Sequence, residues 1–196
     1  KIAFSDRSYT LLFFGFFVCG FHVQFIGTHL PAYIIDEGLA PIIGAWSLAL
    51  IGLFNIAGSF FSGWSGQVYS KPKLLSGIYA FRAAVISVFI FVPLSETSVL
   101  IFSAAMGILW LSTVPLTTGL IAQTQGLKFL STLAGLVFFS HQVGGFLGAW
   151  LGGRLYDLTG NYEAMWIAAI LFGLLATIIH LPIRETAGKL AQAEFK

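Results

Sequence analysis

"GSFFSGWSG", Gly58 to Gly66, returns in altered form 86 positions later as "GGFLGAWLG", Gly144 to Gly152. Gly58 falls on Gly144, Ser62 on Gly148, Trp64 on Trp150 and Gly66 on Gly152. Each copy places a small residue at every fourth position, along one face of a helix, where a neighbouring backbone can come close. Pro31 and Pro115 repeat in the same way, 84 apart, each two or three residues after a threonine.

Both copies lie in apolar runs. Six such runs, each about 20 residues or more and able to cross a hydrocarbon core as a helix, fall at 9–35, 41–66, 74–94, 99–123, 130–153 and 162–182. Between them stand "DEGLAP", "QVYSKPK", "SETS", "TQGLK" and "RLYDLTGN". No run alternates with the period of two that a barrel strand needs, and backbone polar groups in lipid must be satisfied within their own segment. The fold class is therefore an all-α membrane bundle of six transmembrane helices. Residues 1–8 read as a polar lead-in and 183–196 as a polar tail in water.

Composition agrees. Of 196 residues, 57% are hydrophobic and 9% charged, against about 25% charged in a soluble domain. A net charge of +2 speaks against a nucleic-acid partner. The one cysteine, Cys19, excludes a disulfide framework and a CxxC site, and reads as a small apolar residue. No metal site or cofactor motif is visible: HExxH, Walker A and GxGxxG are all absent. The sequence opens on Lys1 without a cleavable leader, which predicts a start inside a longer protein.

Three spans followed by the same three make a 3+3 repeat. Since three is odd, the second triplet enters from the opposite side, the inverted plan of many secondary transporters. Six spans put both ends on one side, with Lys1, Arg7, Lys71, Lys73, Lys128, Arg184, Lys189 and Lys196. The other side has Arg154 and the acids Asp36, Glu37, Glu96 and Asp157. The positive-inside rule makes the first side cytoplasmic, in a multi-pass cell-membrane protein.

The stretches "FHVQFIGTHLPAYIIDEGL", "GSFFSGWSGQVYSKPKLLSGIYAFR" and "STLAGLVFFSHQVGGFLGAWLGGRLYDLTGNY" resemble the C-terminal half of a major facilitator superfamily transporter. They look most like prokaryotic carriers near the monocarboxylate and oxalate–formate branches. The resemblance implies twelve spans in two bundles that rock about a central site, with this chain as spans seven to twelve. It also implies that the first and fourth spans line the cavity, and that the partners are a small-molecule substrate, a coupling ion, an N-terminal six-helix half and the bilayer. The superfamily's cytoplasmic loop motif is partly kept: Gly63 is followed by Gln67 where an Asp is usual, then by Lys71 and Lys73. Anion carriers of these branches often have Arg in the second span or Lys in the fifth. Here those spans hold Asn55 and His141, so a carboxylate substrate does not follow from the resemblance.

Polar residues inside spans are functional candidates by default, with a hydrogen bond to a neighbouring helix as the plain alternative. His22 and His29 lie two helical turns apart and, with Gln24 between them, are expected to face a water-filled cavity, the histidines as substrate or proton contacts. His22→Gln is accordingly expected to change the pH dependence of uptake. In the fourth span Trp110, Thr113 and Thr117 share a face, and Pro115 is expected to bend the helix. His141 and Gln142 sit mid-span in the fifth helix at the depth of Asn55, which suits a substrate contact or interhelical glue. Arg82, about 12 Å into the third span, reads as a scaffold residue snorkelling to the cytoplasmic surface.

The function expected is secondary active transport of a small organic solute by alternating access, coupled to an ion gradient, protons first, and not an enzyme activity. One rival is an intramembrane serine protease of rhomboid type, suggested by "GWSG", Gly63 to Gly66, with His141 as base. Helical rise separates Ser65 from His141 by roughly 15 Å along the membrane normal, far beyond hydrogen-bond reach. A channel or structural subunit is the other, but no filter sequence or acidic pore stretch is present.

Overall fold

The computed structural model of the chain describes residues 3–194; Lys1 and Lys196, two of the basic residues counted above, lie outside the described residues. After a 3-10 turn at Ala3–Ser5 come α1 (Arg7–Asp36), α2 (Pro41–Val68), α3 (Lys71–Phe91), α4 (Glu96–Leu109), α5 (Thr113–Gln125), α6 (Leu130–Thr159), α7 (Glu163–His180) and a short α8 (Lys189–Glu194). Six stretches are long and apolar enough to span a membrane: α1, α2, α3, α4 continued by α5, α6 and α7. The described residues contain no strand.

Local signals place the helix starts. Asp6 caps α1 by accepting the Ser8 N–H at 2.8 Å. Ser95 and Ser98 form a reciprocal capping box at the start of α4. Pro41 and Pro72 stand in the first turns of α2 and α3, where a missing N–H leaves no helix bond unmade. Gly160 ends α6 at φ 72°, a left-handed conformation that a side chain makes costly.

Three helix pairs carry most of the packing: α1 on α6, α2 on α4, and α3 on α7. Exchange the first three spans for the last three and the α1–α6 pair becomes the α4–α2 pair, while α3–α7 maps onto itself. The tertiary packing therefore has the two-fold character that the repeat predicts. The repeated glycines produce it. Gly58 lies against the main chain of Ile108, and Gly144 against that of Phe17, so that a Cβ at either would collide with a carbonyl oxygen.

The fourth span departs from expectation. In place of one helix bent at Pro115, α4 stops at Leu109 and α5 begins at Thr113, with Trp110–Ser112 between them outside either helix. The break lies one turn before the proline. Pro115 lacks an N–H, and its ring crowds the carbonyl of Leu111, four residues back. That carbonyl instead accepts the Val114 N–H at 2.9 Å. Pro31, close to the end of α1, causes no such break, and α1 runs on to Asp36.

The C-terminal tail, read as lying in water, folds back across the end of the bundle that carries Lys71 and Lys128. Ile183 is buried, and the Arg184 N–H donates to Ser8 Oγ at 3.1 Å. Glu185 Oε1 accepts the Lys71 N–H at 3.0 Å and lies 3.7 Å from Lys71 Nζ. The carboxylate thus caps the first turn of α3. Because this pair lies near the water surface, Glu185→Ala is expected to lower stability by only about 1 kcal/mol or less. Thermal unfolding of the two proteins measures it, and a much larger loss would make the strap a main support of the bundle.

Candidate functional site

The break in the fourth span is the polar focus of the bundle. A helix end away from water must have its free carbonyl and N–H groups satisfied by other parts of the protein. Here three other helices supply the partners. Asn55 Oδ1, from α2, accepts the Leu111 N–H at 3.0 Å, and the Ser62 hydroxyl donates to the Ser112 carbonyl. Arg82, from α3, donates to the Leu109 carbonyl through Nη2 at 2.6 Å and Nε at 3.2 Å, and also to the Trp110 carbonyl. Cys19 Sγ, from α1, is 3.2 Å from Thr113 Oγ1. Of the residues singled out in the sequence, Asn55, Arg82, Trp110 and Thr113 are brought together here. Asn55 makes an interhelical hydrogen bond.

Arg82 differs from its sequence reading. It does not snorkel: the residue is 0% exposed, with its Cζ 5.3 Å from the centre of the Tyr79 ring. The physical reason is a nearer attraction than the membrane surface. The carbonyl end of α4 carries partial negative charge, and it lies within reach of the guanidinium inside the bundle.

At the same level the bundle exposes a polar patch. Gln24, Thr28 and Ala32 are exposed at successive turns of α1. The half-buried Trp110 ring lies against Gly27, between Gln24 and Thr28 in sequence. Gln24 sits beside Gly145 of α6. One turn earlier on that helix Gln142 is exposed, its Oε1 3.1 Å from Nδ1 of His141, which is 9% exposed. Two amides that both donate and accept, a hydroxyl, an indole face and an imidazole suffice to bind a small polar solute and hold a proton beside it. Sequence reasoning named Trp110, His141 and Gln142, and expected Gln24 to face a cavity, but did not name Thr28. The signal for Thr28 was present: a polar residue four after Gln24 in an apolar run.

The other candidates point elsewhere. His22, expected on a cavity, is 0% exposed and directs Nε2 to the Ala169 carbonyl of α7 at 2.7 Å. His29 Nε2 meets the Ala149 carbonyl of α6 at 2.8 Å. Glycines leave room for both rings: Gly173 lies beside His22, and Gly152 beside His29. Both histidines are thus turned into helix seams. Thr117 is fully buried and its hydroxyl has no hydrogen-bond partner. Among the loop residues, Gly63 packs against Pro115, while Gln67 and Lys73 are exposed. Lys71 Nζ reaches Gln123 Oε1 at 2.8 Å and so ties the start of α3 to α5. The protease dyad is not formed: the Ser65 hydroxyl donates to the Ser62 carbonyl, and His141 is engaged by Gln142.

No family model matches the chain. It is 27% identical over 182 residues to the uncharacterized MFS-type transporter YcxA of Bacillus subtilis (strain 168), covering 90% of this chain and 44% of that protein. It is 29% identical over 167 residues to monocarboxylate transporter 13 of Rattus norvegicus, covering 82% and 39% respectively. With monocarboxylate transporter 12-B of Danio rerio it shares 28% identity over 142 residues, covering 69% and 29%. The chain spans less than half the length of each of these relatives.

Proposed function

Because this chain is a homologue of MFS-type transporters with six membrane-spanning helices, we propose that it is one half of a twelve-span secondary carrier. The carrier moves a small organic solute across the cell membrane by alternating access, coupled to protons, with both ends of this segment cytoplasmic. The observation that carries the reading is the polar patch of exposed Gln24, Thr28 and Gln142 with the half-buried Trp110, level with the break in the fourth span. A missing N-terminal half would close a cavity over it. The exposed apolar residues Ile56, Phe60 and Trp64 of α2, and Phe139, Phe146 and Trp150 of α6, suit burial against that half. His141, beside Gln142, is the first candidate for carrying the coupling proton, and the more deeply enclosed His22 the second.

The names of two relatives make a short monocarboxylate the first solute to test. Full-length protein in lipid vesicles is expected to take up radiolabelled pyruvate in a saturable way, faster when the outside is made acidic. Saturation separates a carrier from a channel. Uptake no greater than in protein-free vesicles, for pyruvate and a panel of other small organic acids, amines and sugars, would remove the transport reading.

A further inference from the structure

The break in the fourth span leaves Arg82 in an unusual position. The Lys71–Glu185 ion pair lies at the end of the bundle, and no carboxylate of the described residues pairs with Arg82. Arg82 is therefore a buried cation without a carboxylate, and a cation inside a membrane protein is costly unless something specific engages it. What engages it is the end of a helix: the Leu109 and Trp110 carbonyls, with Cys19 Sγ 3.6 Å from Nη2. Nη1 is buried with no hydrogen-bond partner. The guanidinium thus holds α4 by its last carbonyls while keeping a donor in reserve.

The rest of the break is built to stay open. Pro115 cannot supply the N–H that would rejoin α5 to α4, and Asn55 and Ser62 occupy the freed groups on the α5 side. Three residues outside either helix, held partly by tight-turn bonds and partly by side chains from neighbouring helices, form a joint that can change angle without leaving backbone groups stranded.

We propose that Arg82 is the positioning residue of this joint: by holding and re-forming bonds to the carbonyl end of α4, it sets the angle between α4 and α5 and the rate at which the carrier changes state. This rests on the transport reading. Of the polar patch Arg82 reaches only the main-chain carbonyl of Trp110 and none of its side chains, so it governs turnover and not solute affinity. Lysine keeps the charge but lacks the planar fork that grips two carbonyls at once.

The test uses full-length protein in lipid vesicles, with Arg82→Gln and Arg82→Lys, and two readouts. Hydrogen exchange of the Leu111 to Val114 amides is expected to speed up about tenfold in Arg82→Gln, as local protection is lost, with Arg82→Lys between it and the wild type. For radiolabelled pyruvate, or the solute the panel identifies, the maximal rate is expected to fall about tenfold or more in Arg82→Gln while half-saturation stays within about threefold. Unchanged exchange would overturn the proposal. So would a shifted half-saturation at an unchanged rate, which would make Arg82 a solute contact. Should Arg82→Gln fail to reach the membrane, Pro115→Ala, which supplies the missing N–H, is expected to slow exchange across the break and lower the maximal rate. Wild-type behaviour in that variant would equally overturn the proposal. If the wild type moves no solute, the transport reading fails, while the exchange experiment still decides whether Arg82 holds the joint.

Discussion

Gly144→Leu is expected to destroy the folded bundle, and Gly58→Leu to do so to a similar degree. At both positions the first side-chain carbon would enter a neighbouring main chain, that of Phe17 in one case and of Ile108 in the other. Overpacking against movable side chains costs about 1–3 kcal/mol. Here the obstacle is helix backbone, which cannot turn aside, and the cost is expected to exceed about 3 kcal/mol, a large share of a typical total stability. The α1–α6 and α2–α4 seams are among the main contacts of the fold, so separating either one opens the core. Thermal unfolding of purified full-length protein would show it, as would loss of monodisperse protein on extraction. Gly77→Leu, on α3, is the control: a Cβ there meets nothing within 4 Å, and no loss is expected. If Gly144→Leu unfolded like the wild type, close backbone contact would not be what holds α1 to α6.

The second large effect concerns the polar patch. Gln24 and Gln142 are both exposed, so replacing them by leucine should leave thermal stability nearly unchanged. If each amide contacts the solute, each loss removes a hydrogen bond of about 1.4 kcal/mol, equivalent to a tenfold rise in half-saturation. The double variant is then expected to rise about a hundredfold, provided the two act independently. His22→Gln serves as the comparison. Its imidazole faces the Ala169 carbonyl, so half-saturation is expected to stay within about twofold. A strong loss of affinity in His22→Gln, with none in the two glutamine variants, would move the solute site from the open face to the α1–α7 seam.

Some of this was legible from residues alone. Runs such as 41–66 announce spanning helices because lipid forbids unpaired backbone groups. The glycine spacing in "GSFFSGWSG" and "GGFLGAWLG" announces close helix seams because only small residues admit a neighbouring backbone. These signals are local, or repeat at a fixed distance, and need no knowledge of partners. Pro115 likewise gave warning of a disturbed fourth span, though the break itself lies at Trp110–Ser112.

What the side chains do was decided elsewhere. The sequence shows that His22 and Gln24 lie two apart, but not that one turns into a seam with α7 while the other stays exposed. It marks Arg82 as a charge within a span, but not that its partners are carbonyls 27 and 28 positions away. Periodicity fixes which residues share a helix face. The direction of that face, and the backbone groups waiting opposite, depend on how each helix is rotated and docked. That is set by contacts between distant segments, such as Gly144 against Phe17. The sequence by itself determined six apolar helices in a doubled plan; the tertiary structure alone decided which polar groups meet at the break and which remain exposed.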